Sequence, residues 1–299
     1  MATMKKVLYS LTTMKFRDWV RFSRLDFAAR PPVLVFQMGK VGSTSIYHTL
    51  DGMNLGRPVY HAHYLSSQGV KKARKWHRLH QGKVPYGVEY YQLLGRKIRR
   101  NLGEAHYTVI AGVRDPIAKE ISNYFELADE VDHGLRDEDG SFDTSQIISY
   151  LLDRFRRFDV EEDSFFTTAW FDQELKGTLG IDIYEYPFDH SQGYSIFRCA
   201  DLDLLVYQYE RLGEIFRYAL SELLGLSVSD IPELRRDNVG TSKWYADLYT
   251  EAKDAIVIPA EVCKKVYGTE FVRHFYSDET IDEWIEHWSG RSDLQCVRS

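Results

Sequence analysis

Short apolar runs alternate with segments of helical periodicity along most of the chain. Residues 33–36 form one apolar run, and residues 107–113 form another that is rich in β-forming side chains. A third run, at residues 58–65, alternates in the manner of a strand. Helix-patterned segments follow these runs, including residues 117–127 directly after the second. The alternation predicts an α/β domain with a central parallel sheet flanked by helices.

The second half of the chain continues the pattern with weaker signals. A helix is predicted near residues 144–158, and another from residue 210 to about residue 224. Between them, residues 181–186, 194–199 and 204–209 are predicted as short strands.

A lysine between two glycines follows the first strand, and three hydroxyl residues follow the lysine. The order is Gly39, Lys40, Val41 and Gly42, then Ser43, Thr44 and Ser45, which begin a helical pattern. Turn glycines let backbone N–H groups point at an oxyanion, the helix N-terminus adds positive potential, and the lysine adds a mobile charge. This segment is therefore predicted to bind an anionic group such as a phosphate.

The position of the lysine distinguishes this loop from the loop of nucleoside triphosphatases. That loop has its lysine directly before the hydroxyl residue, whereas Lys40 here precedes Gly42. The segment instead resembles the 5′-phosphosulfate loop of sulfotransferases that use 3′-phosphoadenosine 5′-phosphosulfate (PAPS), although Gly39 stands where that family usually has proline. The resemblance implies a P-loop-like three-layer sulfotransferase fold, and it implies donor binding by five residues: Lys40, Gly42, Ser43, Thr44 and Ser45.

A second anion-binding element is predicted after the strand at residues 107–113. Arg114 follows that strand, Asp115 can cap the next helix, and Pro116 suits its first turn. Ser122 comes eight residues after Arg114. Arginine offers phosphate a two-pronged donor, to which a helix serine adds a hydroxyl group. Sulfotransferases hold the 3′-phosphate of PAPS with this arrangement, which the resemblance implies for Arg114 and Ser122.

Two histidines occupy the strand between these elements. Alternation along a strand puts His61 and His63 on one face. In an open parallel sheet the ligand crevice lies at the carboxyl ends of the strands, so a histidine there would face a group bound after the first strand. The pattern resembles that of uronyl 2-O-sulfotransferases, which implies that His63 is the general base and His61 supports it, with the reverse assignment left open.

The segment from Asn238 to Tyr245 carries a glycine, hydroxyl residues, a lysine and two aromatic residues. Sulfotransferases commonly close over the adenosine 3′-phosphate with such a late loop, which implies a donor-binding role for Lys243. The segment also resembles the Asn-Lys-Trp-Tyr signature of a bacterial family of capsular polysaccharide synthesis proteins, although four residues separate Asn238 from Lys243 here. That resemblance extends over roughly residues 32–280.

Composition and charge limit the remaining choices. The 299 residues are 44% hydrophobic, which suffices for one large core, so residues 31–288 are predicted as the sulfotransferase domain and 289–299 as a tail. Residues 1–30 hold seven basic and two acidic side chains in a chain of net charge −6. This basic amphipathic segment is predicted to pack on the domain, with peripheral contact to an anionic membrane surface as the alternative. The three cysteines lack metal-ligand spacing, and neither a transmembrane span nor a signal peptide is evident, so a cytoplasmic location is expected.

The sequence thus predicts a metal-independent PAPS-dependent O-sulfotransferase. His63 would take the proton of an acceptor hydroxyl while Lys40 stabilises the leaving phosphate. The acceptor is expected to be a glycan or a small hydroxylated metabolite, and no nucleic-acid partner is expected for an acidic chain without a reader motif. Two alternatives remain, a nucleotide-dependent phosphotransferase and a non-catalytic module that binds PAPS or a glycan.

Overall fold

The fold is an α/β arrangement around one five-stranded sheet. The computed structural model describes residues 24–127, 142–158, 166–235 and 243–290. The strands are β1 (Val33–Phe36), β2 (Val59–Ala62), β3 (Tyr107–Val113), β4 (Tyr194–Arg198) and β5 (Leu202–Gln208). The helices of the first half are α1 (Ser43–Gly52), α2 (Ser67–Gln81), α3 (Tyr86–Arg100), α4 (Pro116–Leu127) and α5 (Thr144–Arg156). The later helices are α6 (Phe166–Trp170), α7 (Gly177–Leu179), α8 (Leu212–Leu224), α9 (Ala246–Ala255), α10 (Ala260–Tyr267), α11 (Glu270–Phe275) and α12 (Asp278–Ser289), and a π-helix (Phe171–Lys176) joins α6 to α7.

The sheet is mostly parallel, with strand order β2-β1-β3-β5-β4. Strands β2, β1, β3 and β5 run in the same direction, and only the edge strand β4 is antiparallel to its neighbour. The predicted central parallel sheet is thus observed, with an antiparallel strand at this edge. A short connection from β4 to β5 allows only an antiparallel pair, since a parallel pair requires a crossover of a dozen or more residues.

Two further predictions about strands are corrected. The strand predicted at 58–65 ends at Ala62, because its neighbour β1 ends at the paired residue Phe36 and offers no partner beyond it. The strand predicted at 181–186 is a 3₁₀ turn, Ile183–Glu185, capped by the Asp182 side chain, which accepts a hydrogen bond from the Tyr184 N–H at 3.2 Å. The cap by Asp182 thus favours a turn here, although the side chains alternate as they would in a strand.

Helices cover both faces of the sheet. Val33 and Val35 point to one face, where they join a cluster of buried side chains from α1 and α8. Leu34 and Phe36 point to the other face, where they pack with side chains of α3 and α4, among others. Alternate side chains of β1 are thus buried under helices on opposite faces of the sheet. The fold therefore has three layers, with the sheet between two layers of helices.

The chain changes direction across the sheet between β1 and β3. After β1 it adds β2 on one side, and it then adds β3 on the other side of β1. In open α/β sheets such a reversal leaves a crevice at the carboxyl ends of the two central strands. The loop at residues 37–42 and the residues that follow β3 flank this crevice, as the sequence predicts for the two anion-binding elements.

Only part of the two predicted terminal segments can be described. Residues 1–23 and 291–299 lie outside the described residues. Phe27, near the end of the basic segment 1–30, is buried with its ring centroid 6.4 Å from that of Tyr107 and 5.8 Å from that of Tyr60. Phe27 therefore packs on the domain, whereas Leu25, two residues before it, is exposed. Within the described ranges, no helix has the length and apolar character needed to cross a bilayer.

Candidate functional site

The loop after β1 has the backbone geometry of an anion-binding turn. Lys40 and Gly42 both have left-handed conformations, with φ angles of 69° and 81°. Such conformations turn neighbouring N–H groups toward one concave side. Gly42 precedes α1, so no capping side chain covers the first turn of this helix. A side chain at Gly42 is excluded, because its Cβ would lie 2.8 Å from a methyl group of Leu212.

The hydroxyl residues predicted to bind the donor form the start of α1. Ser43 and Ser45 are buried, and Thr44 is partly exposed. The structure therefore places them at the helix N-terminus beside the loop, where N–H groups and the helix dipole favour negative charge.

A single carboxylate brings the two predicted lysines together. Glu126, on α4, accepts a hydrogen bond from Lys40 Nζ at 3.2 Å and one from Tyr245 OH at 2.9 Å. It also forms an ion pair with Lys243, near the end of the segment from Asn238 to Tyr245. Partial burial alone would raise the pKa of Glu126. The hydrogen bond from Lys243 and the charge of Lys40 outweigh burial and lower this pKa to about 2. Three segments distant in the sequence thus meet at one anionic group.

Arg114 joins the two predicted anion-binding elements. Its Nη1 donates a hydrogen bond to the Lys40 carbonyl at 2.8 Å, and its guanidinium carbon lies 4.5 Å from the centroid of the Tyr209 ring. Burial lowers the pKa of Lys40, and the nearby charges of Lys243 and Arg114 add to this decrease, while Glu126 opposes it. Ser122 is partly exposed on α4, two turns beyond Arg114. The structure therefore gathers Lys40, Arg114 and Lys243 at the crevice.

His63 is held in one tautomer by the loop that carries Lys40. Its Nδ1 lies 2.7 Å from the carbonyl oxygen of Gln37, which can only accept, so Nδ1 carries the proton. The lone pair of the neutral ring then lies on Nε2, the nitrogen that can take a proton from a substrate. Burial lowers the pKa of His63, and the hydrogen bond to Gln37 opposes this only in part. The imidazole is therefore neutral at physiological pH, as a general base requires.

His61 is less suited to that role. Its ring lies 4.7 Å from that of His63 and stacks on Tyr47 at 5.6 Å. Its Nε2 is buried, with no hydrogen-bond partner among the described residues. Burial and the neighbouring His63 lower the pKa of His61 to about 3. The two histidines lie together as predicted, and the structure makes His61 a packing neighbour of His63.

A buried ion network lies on α4 near its start. Lys119 donates to Glu120 at 2.9 Å, and Glu120 also accepts from Arg154 at 3.1 Å and from Thr167 at 2.9 Å. The charge of Lys119 contributes to the lowered pKa of His63, after the larger effect of burial. The Lys119 charge therefore adds to the effect of burial in disfavouring protonation of His63.

The π-helix and α6 fix the backbone around His63. Trp170 Nε1 donates to the His63 carbonyl at 3.0 Å. The fully buried carboxylate of Glu174 accepts from the N–H groups of Leu65 and Ser66 at 2.8 and 2.9 Å. Single π-helical turns occur frequently at functional sites. Here the π-helical turn places the Glu174 carboxylate against the backbone N–H groups just before α2.

Sequence reasoning missed several of these residues. Glu126 lies four residues after Ser122, so a helical projection of α4 could have placed both on one face. Gln37, a polar residue after a buried strand, was a weaker signal. Tyr209, Tyr245 and Glu174 had no signal beyond their residue types, because their roles depend on contacts with distant segments. In the described part of the chain, no three His, Cys, Asp or Glu side chains converge as they would around a metal ion.

Comparison with known proteins adds one finding. Residues 139–277 match the model of a family described as putative capsular polysaccharide synthesis protein. The matched region includes Trp170, Glu174 and Lys243 and covers somewhat less than half of the 299 residues. No curated protein and no solved structure matches the chain. The match supports the resemblance to capsular polysaccharide synthesis proteins and suggests polysaccharide biosynthesis.

We predict that Glu126 competes with an anionic ligand for the two lysines. Glu126→Gln should tighten the binding of adenosine 3′,5′-bisphosphate by about tenfold, because the lysines no longer have to exchange a carboxylate for the ligand. A hydrogen bond to a charged group contributes roughly 1.5–3 kcal/mol, and the lower end applies here because solvent already weakens the interaction with Glu126. Titration calorimetry measures the change. Glu233→Gln, at an exposed carboxylate paired with Arg217, is the control. Weaker binding by Glu126→Gln would show that Glu126 orients the lysines.

We also predict a pH dependence of stability from Glu174. Burial raises the pKa of Glu174 to about 7, which the hydrogen bonds from Ser66 and Leu65 offset only in part. A carboxyl group with a raised pKa in the folded state penalises folding as pH rises from its unfolded value toward 7. The free energy of unfolding should therefore increase by about 2–3 kcal/mol from pH 7 to pH 4.5, relative to Glu174→Gln. Denaturant titrations of both proteins at each pH isolate this group, and parallel pH profiles would contradict the prediction.

Proposed function

We propose that this protein is an O-sulfotransferase that moves the sulfuryl group of PAPS to a hydroxyl group of a glycan. The observation that carries the proposal is the convergence of Lys40, Arg114 and Lys243 on the crevice beside a neutral His63. A glycan acceptor is favoured by the similarity of residues 139–277 to capsular polysaccharide synthesis proteins.

The residues around the crevice fit a donor that has two separate anionic groups. Glu126 already satisfies Lys40 and Lys243 in the resting protein, which supports the view that this position accepts an oxyanion. Gln37 Nε2 adds a buried donor for which the described residues supply no acceptor. The loop at residues 37–42 and the start of α1 would hold the 5′-phosphosulfate group. Arg114 and Ser122 would hold the 3′-phosphate.

The donor supplies an activated sulfuryl group, and the protein residues move the proton and stabilise charge. Nε2 of His63 takes the proton of the acceptor hydroxyl as its oxygen bonds to sulfur. The bond between sulfur and the bridging phosphate oxygen breaks, and adenosine 3′,5′-bisphosphate leaves. Lys40 stabilises the negative charge that develops on that oxygen. The N–H groups of the loop and the Ser43–Ser45 hydroxyls are suited to hold the nonbridging oxygens.

The surroundings of Asp115 weigh against phosphotransfer with magnesium. Such enzymes need an acidic residue after a buried strand that is available to the metal ion. Oδ1 of Asp115 accepts hydrogen bonds from the Ile117 N–H and Tyr267 OH, both at 2.9 Å, and Oδ2 accepts one from Trp288 at 3.0 Å. Its carboxylate is thus engaged as a helix cap, in agreement with the sequence prediction.

The first experiment tests the donor. Calorimetry should show tighter binding of adenosine 3′,5′-bisphosphate than of AMP, because without the 3′-phosphate Arg114 has no ligand partner. Arg114→Ala should weaken bisphosphate binding by about 2–3 kcal/mol, or roughly 30- to 160-fold, and should leave AMP binding nearly unchanged. Arg198→Ala is the control, because this exposed arginine pairs with Asp203 near the opposite end of β5. Equal affinity of the wild-type protein for AMP and the bisphosphate would overturn the proposed donor.

A further inference from the structure

A cationic groove lies between the antiparallel helices α2 and α3. It encloses about 560 Å³ and is lined by Lys71, Arg74, Lys75 and Arg78 of α2, together with Val70 and Gln92. In the sequence these cations form a basic run over residues 71–78, and a solvated helix face would account for them. Their arrangement along one concave surface is a property of the tertiary structure.

The cations are arranged as a row along the helix axis. Lys71, Lys75 and Arg78 follow the i, i+4, i+7 spacing, which puts them on one face of α2. With a rise of 1.5 Å per residue, the row spans roughly 10 Å. All three side chains are exposed, and within the described ranges no carboxylate pairs with them. A row of three uncompensated positive charges is costly in an isolated protein, because like charges repel one another.

The fourth cation has a different role. Arg74 donates from Nε to Glu89 at 3.0 Å and from Nη2 to the side-chain oxygen of Gln92 at 2.6 Å. These contacts tie α2 to α3 and neutralise Arg74. Arg74 is thus engaged by the protein itself, whereas the exposed side chains of Lys71, Lys75 and Arg78 are available to a ligand.

One end of the groove is lined by a residue close in the sequence to His63. Ser67, which also lines the groove, comes four residues after His63. Arg99 of α3 donates from Nη1 to the Leu65 carbonyl at 2.7 Å, and its Nη2 lies 3.5 Å from Ser67 Oγ. Burial lowers the pKa of Arg99, and the positive charge of Arg96 lowers it further. Arg99 therefore places a positive charge between Ser67 of the groove and the segment that carries His63.

We propose that this groove binds the acid groups of an anionic glycan, and that the hydroxyl group presented to His63 belongs to the same chain. This inference rests on the proposed function and adds to it the class of acceptor. A glycan chain with carboxylate groups at intervals would place its acid groups along Lys71, Lys75 and Arg78. Gln92 and Ser67 would meet its hydroxyl groups.

Two features favour a glycan over other polyanions. The surface is concave, whereas the surface of a membrane is flat and would meet only the rim of the groove. The positive charge is also local, in a chain of net charge −6, so the general attraction that draws basic proteins to nucleic acids is absent.

The test compares binding of a charged and a neutral glycan to the intact protein. Polygalacturonate oligosaccharides carry one carboxylate on each sugar, and maltooligosaccharides of equal length carry none. We expect the wild-type protein to bind the polygalacturonate oligosaccharide more tightly, with an affinity that falls as ionic strength rises. The triple variant Lys71→Ala/Lys75→Ala/Arg78→Ala should lose at least tenfold in affinity. The matched triple variant Arg156→Ala/Lys264→Ala/Arg273→Ala removes the same charge from exposed positions on other helices and should bind as the wild type does.

Several outcomes would overturn the inference. Equal losses in the two triple variants would show diffuse attraction without a site. Duplex DNA or phosphatidylserine vesicles bound as tightly as the oligosaccharide would identify a general polyanion surface. Equal binding of the neutral glycan would remove the role of charge. Adenosine 3′,5′-bisphosphate is titrated in parallel with each protein. A wild-type protein that binds the anionic glycan through the groove but does not bind the bisphosphate would support the glycan site and contradict the proposed donor.

Discussion

Replacing His63 with alanine should lower the sulfotransfer turnover by about 10²–10⁴-fold, the range that a general base contributes. The affinity for adenosine 3′,5′-bisphosphate should change little, because the imidazole is predicted to face the acceptor. The hydrogen bond from His63 Nδ1 to the Gln37 carbonyl, which leaves the lone pair on Nε2, is the physical basis of this expectation. Single-turnover rates and calorimetric dissociation constants for the same preparation separate catalysis from binding.

His61→Ala is the matched control, because it removes the adjacent imidazole and should have a milder effect. Because burial lowers the pKa of His63, the rate of the proposed reaction should stay high in the wild-type protein as pH falls below 6.5. A His63→Ala protein with near-normal turnover would transfer the proposed role of base to another group. Loss of bisphosphate binding in this variant would instead mark His63 as structural.

Replacing Lys40 with alanine should depress turnover by roughly 10²–10³-fold, as expected for loss of a group that stabilises charge in the transition state. PAPS binding should weaken much less, because the loop N–H groups and Arg114 remain. Lys40→Arg should recover binding better than rate, since a planar guanidinium cannot place its charge where a compact ammonium lies. Single-turnover rates and PAPS dissociation constants for both variants test this difference.

Lys243→Ala is the informative comparison, because Lys243 pairs with the same carboxylate as Lys40. We expect it to weaken bisphosphate binding with little effect on the rate at saturating donor. If Lys40→Ala also leaves the rate at saturating PAPS unchanged, then Lys40 only docks the donor and the proposed role at the leaving group is wrong.

The sequence predicted those elements best in which local and global preferences agree. The strand Tyr107–Val113 has the predicted limits, because a fully buried central strand needs apolar side chains throughout. Helix α4 begins at Pro116, one residue before the predicted helical pattern, after the predicted cap by Asp115, whose Oδ1 accepts from the Ile117 N–H. The strand at residues 58–65 was predicted too long because the length of an edge strand depends on its only neighbour.

The residues of the candidate site likewise fall into those with a local sequence signal and those whose contacts come from distant segments. The left-handed turn at Lys40 and Gly42 was predictable because such a turn needs particular residue types next to one another. Glu126 was missed because a carboxylate on a helix does not indicate which cations from distant segments will reach it. Glu174 was missed for a related reason, since its partners Leu65 and Ser66 are backbone groups with no sequence signature.

The sequence by itself determined the α/β class, the glycine-bracketed loop at Lys40, the cap at Asp115 and the pair of histidines. These features rest on periodicity, turn geometry and capping, all of which act over a few residues. Only the tertiary structure decided that Lys40 and Lys243 share Glu126, that the Gln37 carbonyl sets the tautomer of His63, and that the cations of α2 line a groove. Those contacts join segments far apart in the chain, and only the packing of helices against the sheet brings such segments together.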